Sequence, residues 1–268
     1  MKHLSYYGLS HNPFEKGVDI KQKFESQDYK QATSRLEYLK SVKGIGVFTG
    51  NSGMGKTYTM RCFRNSLNPS LYKVVYLAMS TLTVLEFYKA LAYGLGIEPA
   101  FKKIDIFKQI QETIEHMSKE KRMIPTIIID EAQYLKTDIL NDLKILLNFQ
   151  MDSTNPCIVI LTGQNILKNT LNKNIHEALQ QRIVINYTFE GISKSEIASY
   201  IQASLANANV NVPLFTDGAI EAIASCSGGS LRKLNSILTN CLIAGCQKDE
   251  KEINTDTVMR AQNEVELI

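Results

Sequence analysis

The chain has 268 residues, enough for one large domain or a medium domain with a small one, and its 44% hydrophobic and 21% charged residues are those of a soluble globular protein. A formal charge of +3 is too small to argue for nucleic acid by itself and leaves only local basic patches open. No apolar run approaches the roughly 20 residues that cross a bilayer, residues 1–7 lack a signal-peptide core, and five scattered cysteines with no Cys-x-x-Cys pair point to reduced thiols in a cytoplasmic protein.

Taken in order, Tyr6-Tyr7-Gly8-Leu9-Ser10-His11-Asn12-Pro13-Phe14 is aromatic and turn-rich, and Gly8 and Asn12-Pro13 argue against a regular element. Its aromatics either pack onto the domain surface or frame an adenine ring. Ser26 reads as the N-cap of a helix through Tyr29, Ala32, Leu36 and Leu39. The run Gly46-Val47-Phe48-Thr49 then leads into Gly50-Asn51-Ser52-Gly53-Met54-Gly55-Lys56-Thr57 and on to the helix-compatible Tyr58-Thr59-Met60-Arg61-Cys62-Phe63. Strand, glycine turn and helix in that order are the context a phosphate-binding loop needs. The glycines let successive N–H groups converge on phosphate oxygens, and the helix aims its positive end at the same place. The candidate nucleotide-binding set is therefore Gly50 through Tyr58. Within it, Lys56 reaches the terminal phosphates and the Thr57 hydroxyl ligates Mg²⁺.

Next, 73–78 reads as a strand, 83–95 as a helix stopped by Gly94-Leu95-Gly96 and Pro99, and 104–121 as a helix with Ile106, Ile110, Ile114 and Met117 on one side. Thr126-Ile127-Ile128-Ile129 is a continuous β-branched run that suits a central parallel strand, and Asp130-Glu131-Ala132-Gln133 ends it. A helix over about 135–149, a strand at 157–162 and a last β-prone run at 182–187 follow. Strands alternating with helices imply a parallel sheet covered by helices, an α/β fold. Beyond Phe189 the strand signals end. Ser193-Lys194-Ser195-Glu196 is a capping box, Thr216 caps a second helix that stops at Ser227-Gly228-Gly229, a third spans about 231–247, and a fourth begins near Thr255. The expected division is an α/β domain over 1–190, including an N-terminal segment 1–25, and a small all-helical lid over 191–268.

In an open α/β sheet, ligands bind at the strand C-termini, so Asp130 and Glu131 can meet the phosphate loop. There Asp130 holds Mg²⁺, directly or through water, and Glu131 activates a water against the γ-phosphate. Thr162 and Gln164 follow the next strand and are candidates for a polar group near that water. Arg182 precedes the last strand and is placed to reach a neighbouring subunit's nucleotide. Arg232 begins a helix of the small domain, where the helix dipole disfavours a cation, which points to a nucleotide phosphate as its partner.

These residues together resemble an AAA+ ATPase. The resemblance puts Lys56 and Thr57 in Walker A, Asp130 and Glu131 in Walker B, Thr162 or Gln164 at the sensor-one position, Arg182 at the arginine-finger position and Arg232 at sensor two. Closer still, Tyr7-Gly8-Leu9…Asn12-Pro13-Phe14, Asp130-Glu131-Ala132-Gln133, Thr162-Gly163-Gln164, Leu179-Gln180-Gln181-Arg182-Ile183, Phe215-Thr216 and Gly228…Leu231-Arg232-Lys233-Leu234-Asn235 are similar to the ExeA-like group, with the transposition helper ATPases TniB, MuB and TnsC as relatives. The group often has proline at the positions of Asn165 and Leu231, and a second arginine where Asn186 stands. The resemblance implies ATP and Mg²⁺ as cofactors, a self-oligomer forming a ring or filament, non-specific double-stranded DNA and a DDE-family transposase as partners, and no membrane. Membrane-linked members continue into a transmembrane segment, so a chain stopping at Ile268 is expected to be a DNA-transposition helper. The alternatives are a secretion or envelope-assembly ATPase, and a nucleotide switch that barely hydrolyses. Lys102-Lys103 and Lys119-Glu120-Lys121-Arg122 are the candidate DNA contacts, reaching phosphates with little sequence preference.

Overall fold

A computed structural model describes residues 2–15, 24–78, 81–150 and 153–265. In chain order its elements are α1 (Lys2–Tyr7), α2 (Gln27–Val42), β1 (Gly44–Gly50), α3 (Lys56–Ser66), β2 (Tyr72–Leu77), α4 (Val84–Leu95), α5 (Lys103–Lys119), β3 (Ile124–Ile129), α6 (Thr137–Leu146), β4 (Ile158–Gly163), α7 (Asn165–Leu171), α8 (Glu177–Gln180), β5 (Ile183–Phe189), α9 (Lys194–Asn207), α10 (Asp217–Ser227), α11 (Leu231–Gln247) and α12 (Thr255–Val265). They form two compact units. One comprises Gln31–Asn51 and Lys56–Phe189, the other Met1–Lys30, Ser52–Gly55 and Glu190–Ile268.

The first unit is a five-stranded sheet in the order β2-β3-β4-β1-β5, parallel throughout. The β-branched run of β3 and the apolar run of β4 are buried on both faces, as a central parallel strand requires. Alternation splits their side chains. Ile127, Ile129, Val159 and Leu161 join Val47 in a core with Phe87, Tyr88 and Leu91 of α4, Ile106, Ile110 and Ile114 of α5, and Ile139 and Leu143 of α6. On the other face α3 packs on β1 and β4. Ser26 caps α2 by accepting the Tyr29 N–H at 3.2 Å. Thr83 and Glu86 close a capping box on α4, which ends at a left-handed Gly96.

The helix expected over 135–149 is shorter. A single 3-10 turn at Ala132–Tyr134 comes first, and α6 runs only from Thr137 to Leu146. The reason is local: Glu131 sits in the left-handed region at φ 52°, and the extended Leu135 and Lys136 separate the turn from the helix.

The second unit is built on α9–α12. Ser193 and Glu196 form the expected capping box, Thr216 accepts from Ala219 N–H, and Ser230 accepts from Lys233 N–H. Its core gathers Ile197, Ile201, Leu205, Ile223, Leu234, Ile237, Leu238 and Leu242, together with Tyr7, Leu9 and Phe14. The N-terminal segment, expected with the α/β domain, thus groups with the C-terminal helices, and its first residues form the short helix α1 before Gly8. The Tyr7 hydroxyl donates to the Glu250 carbonyl at 2.8 Å, and Tyr7 and Phe14 are 7% and 3% exposed. Rings buried in this way do not frame an adenine. The segment falls here because burying each such side chain is worth about 2–3 kcal/mol.

Candidate active site

The sheet order decides where the chemistry gathers. β4 lies between β1 and β3, so the C-terminal ends of these strands are neighbours at the usual spacing of about 4.8 Å. The phosphate loop follows β1, the acidic pair follows β3, and Gly163-Gln164-Asn165 lies between them at the end of β4.

Past β1, Lys56 is 7% exposed, and its ammonium donates to the Gly50 and Asn51 carbonyls at 2.8 and 2.7 Å. Gly53 and Gly55 have φ of +82° and +91°, a conformation that L side chains rarely adopt, which is what the glycine pattern of the loop provides. Arg61 lies over the Tyr58 ring at 5.3 Å. In the helical unit, the loop tip meets the start of α11. Arg232 Nη1 donates to Ser52 Oγ at 2.9 Å, its backbone N–H reaches the Gly53 carbonyl at 3.4 Å, and Met54 Sδ lies against Gly191 and Gly229. Arg232 thus has a loop residue as its partner, although the helix dipole disfavours a cation at this end.

Asp130 is 4% exposed, and both of its carboxylate oxygens accept hydrogen bonds. Oδ2 accepts from the Thr57 hydroxyl at 3.1 Å and from the Tyr76 hydroxyl at 2.8 Å, while Oδ1 accepts from the Glu131 N–H at 2.9 Å. Burial and then the bond to Asp130 push the Tyr76 phenol up to about 12, so it stays a donor at any physiological pH. Nothing in the sequence pattern marks Tyr76 beyond a strand position. The strand register explains the contact: Tyr76, next to the last residue of β2, pairs with Ile128, and Asp130 lies two residues further along the same face.

Glu131 has φ 52° and ψ 37°, a left-handed conformation costing a non-glycine residue about 1 kcal/mol. Its carboxylate accepts from Gln133 Nε2 at 2.6 Å, and Gln133 Oε1 accepts the Gln164 N–H at 2.9 Å. Of the two sensor candidates, Gln164 brings its backbone N–H to this network, while the fully buried Thr162 keeps a hydroxyl with no partner among the described residues. Asn165 donates to Asn51 Oδ1 of the phosphate loop at 3.0 Å.

Arg182 is not brought to this end. It precedes β5, at the N-terminal edge of the sheet, about 20 Å along the strands from the loop, and its guanidinium donates to the Lys144 carbonyl. Among the candidate DNA contacts, Lys103 pairs with Asp142 at 2.5 Å and Lys119 with Glu115 at 3.3 Å. Lys102, Lys121 and Arg122 are exposed, with no acidic partner among the described residues. A hydroxyl and a carboxylate within 3.1 Å of each other are hard oxygen donors, and beside a curled loop with a lysine they suit a divalent cation bound with a phosphate ester. No helix among the described residues is long and apolar enough to cross a membrane.

Residues 39–171 match the family model described as AAA domain. The chain is 28% identical to general secretion pathway protein A of Aeromonas hydrophila over 98% of its own length and 48% of that protein's, so it spans about half of that relative. It is 25% identical to the ATP-dependent target DNA activator B of Escherichia phage Mu, over 91% of this chain and 73% of that one. Among solved structures, Cdc6p from Pyrobaculum aerophilum superposes with a TM-score of 0.70 at 18% identity, covering 94% of this chain and 70% of that one, which speaks to a common fold. Residues 39–171 are accordingly an AAA domain, and the chain as a whole is similar to both secretion-pathway and target-DNA-activator proteins.

Proposed function

We propose that this chain binds ATP with Mg²⁺, hydrolyses it, and assembles through it on double-stranded DNA to regulate transposition, delivering the target to a DDE-family transposase in the cytoplasm. The observation that carries the hydrolytic reading is the Asp130 carboxylate bonded to the Thr57 hydroxyl, at a strand end adjacent to the phosphate loop. Thr57 and Asp130 would hold the metal, which when bound draws charge off the phosphates. Lys56 binds the terminal phosphates. Glu131 takes a proton from the attacking water as the bond between the γ-phosphorus and the bridging oxygen breaks, releasing ADP and inorganic phosphate. Thr162 or Gln164 orients that water, and Arg232 meets a phosphate of its own chain's nucleotide. Arg182 acts in the site of an adjoining copy, so that ATP joins subunits and its hydrolysis loosens them.

The DNA reading is supported by the similarity to the phage target DNA activators and by the exposed Lys102, Lys121 and Arg122, which have no acidic partner among the described residues. It is tested by titrating labelled duplex DNA with the chain, with and without a non-hydrolysable ATP analogue, at several salt concentrations. Binding that needs the analogue and weakens steeply with salt is expected. No binding at low salt with the analogue present rules it out. A second reading, an ATPase of secretion or envelope assembly, is favoured by the 28% identity that runs over 98% of the chain. It predicts ATP turnover indifferent to DNA and a membrane-embedded partner.

A further inference from the structure

We propose that Gln133 is a positioning residue for Glu131, holding its carboxylate through a bridge anchored on the loop after β4. The inference rests on the hydrolytic role of Glu131 proposed above. Glu131 stands in a left-handed turn just past β3, and its side chain is long enough to sample several rotamers there. One neutral donor fixes it: Gln133 Nε2, at 2.6 Å from Oε2. The other end of the same amide accepts the backbone N–H of Gln164 at 2.9 Å. Only the oxygen of an amide can accept from a backbone N–H, so the nitrogen must face the carboxylate, and the orientation is fixed by chemistry at both ends.

The bridge needs room, and Gly163 supplies it. A Cβ at Gly163 would lie 2.4 Å from Gln133 Oε1 and 3.3 Å from the Gln133 N–H nitrogen. The next residue but one, Asn165, donates to Asn51 of the phosphate loop at 3.0 Å. Glu131, Gln133, Gln164, Asn165 and Asn51 thus form one continuous path of hydrogen bonds and chain from acid to loop. The amide orients the carboxylate through a charge-assisted bond from a neutral donor.

The test compares ATP hydrolysis and binding of a fluorescent ATP analogue for wild type, Gln133→Ala, Gln133→Asn, Gln133→Glu and Gly163→Ala, with and without duplex DNA. Gln133→Ala should lose about tenfold in kcat with analogue affinity within about twofold of wild type, as removal of an orienting partner does. Gln133→Asn is one methylene too short to span the gap and should match it. Gly163→Ala should do the same with Gln133 present, because the amide can swing aside. Gln133→Glu replaces the donor with a second carboxylate and should lose at least as much kcat as Gln133→Ala, again with analogue affinity within about twofold of wild type. In a Glu131→Gln background, Gln133→Ala should change nothing further, because it acts through that residue.

Turnover of Gln133→Ala within twofold of wild type, or an equal tenfold loss in the Glu131→Gln background, overturns the proposal. If wild type hydrolyses ATP in a Glu131-dependent way while Gln133→Ala is unaffected, this inference alone fails. If wild type binds no ATP, or its turnover survives Glu131→Gln, the hydrolytic reading fails and this one falls with it.

Discussion

The Tyr76 hydroxyl donates to Asp130 Oδ2 at 2.8 Å, and the same oxygen accepts from the Thr57 hydroxyl. An edge-strand tyrosine thereby helps orient the carboxylate assigned to the metal. Tyr76→Phe keeps the ring and removes only this donor. We expect the Mg²⁺ concentration needed for half-maximal ATP hydrolysis to rise about three- to tenfold, with binding of metal-free nucleotide unchanged. A Mg²⁺ titration identical to that of wild type would remove Tyr76 from the site.

Lys56→Ala should abolish ATP binding, and Glu131→Gln should preserve it while turnover drops by about 10²–10⁴. Nucleotide titration beside a phosphate-release assay separates the two. Unchanged turnover in Glu131→Gln would instead favour a scaffold that switches on binding alone.

Arg182 lies at the N-terminal edge of the sheet, away from the loop of its own chain, so its role is testable by mixing. Arg182→Ala should hydrolyse no ATP yet bind nucleotide as a monomer. Mixed with Lys56→Ala, it should recover part of the wild-type rate, because each mutant supplies what the other lacks. Full turnover by Arg182→Ala alone would end the trans-acting reading.

Phe14 is 3% exposed in the core of the helical unit. Phe14→Ala should cost that unit about 3–5 kcal/mol. Hydrogen exchange should then accelerate across α9–α12 and leave the protection of β3 and β4 as it was. Equal acceleration in the sheet would contradict the grouping of the N-terminal segment with the C-terminal helices.

His176 is 1% exposed, and neither ring nitrogen has a partner among the described residues. Burial, and then the nearby Lys173, hold its imidazole below the ordinary value of 6.5. As pH falls below 6.5 the unfolded chain takes up a proton that the folded chain refuses, so stability drops in that window. His176→Leu should flatten the fall in Tm between pH 7.5 and 5.5. Parallel Tm profiles for the two proteins would mean that His176 does not cause it.

The amino-acid sequence by itself determined the phosphate loop, the acidic strand end and the alternation of strands with helices. Each is written in neighbouring residues: Gly53, Gly55 and Lys56 within one turn, Ile127-Ile128-Ile129 running into Asp130, Ser193 with Glu196. The caps at Ser26, Ser193 and Thr216 were legible for the same reason, since a cap acts on N–H groups only two or three residues away. The short α6 was not, because the turn at Glu131 breaks a run whose apolar spacing continues past it. Only the tertiary structure decided that β4 separates β1 from β3, and with it that Gln133 reaches Gln164, Asn165 reaches Asn51 and Tyr76 reaches Asp130. It also decided that Tyr7 and Phe14 serve the C-terminal helices. Such contacts join residues from 31 to over 200 positions apart. Strand order and the competition for buried surface select them, and neither leaves a periodic trace in the chain.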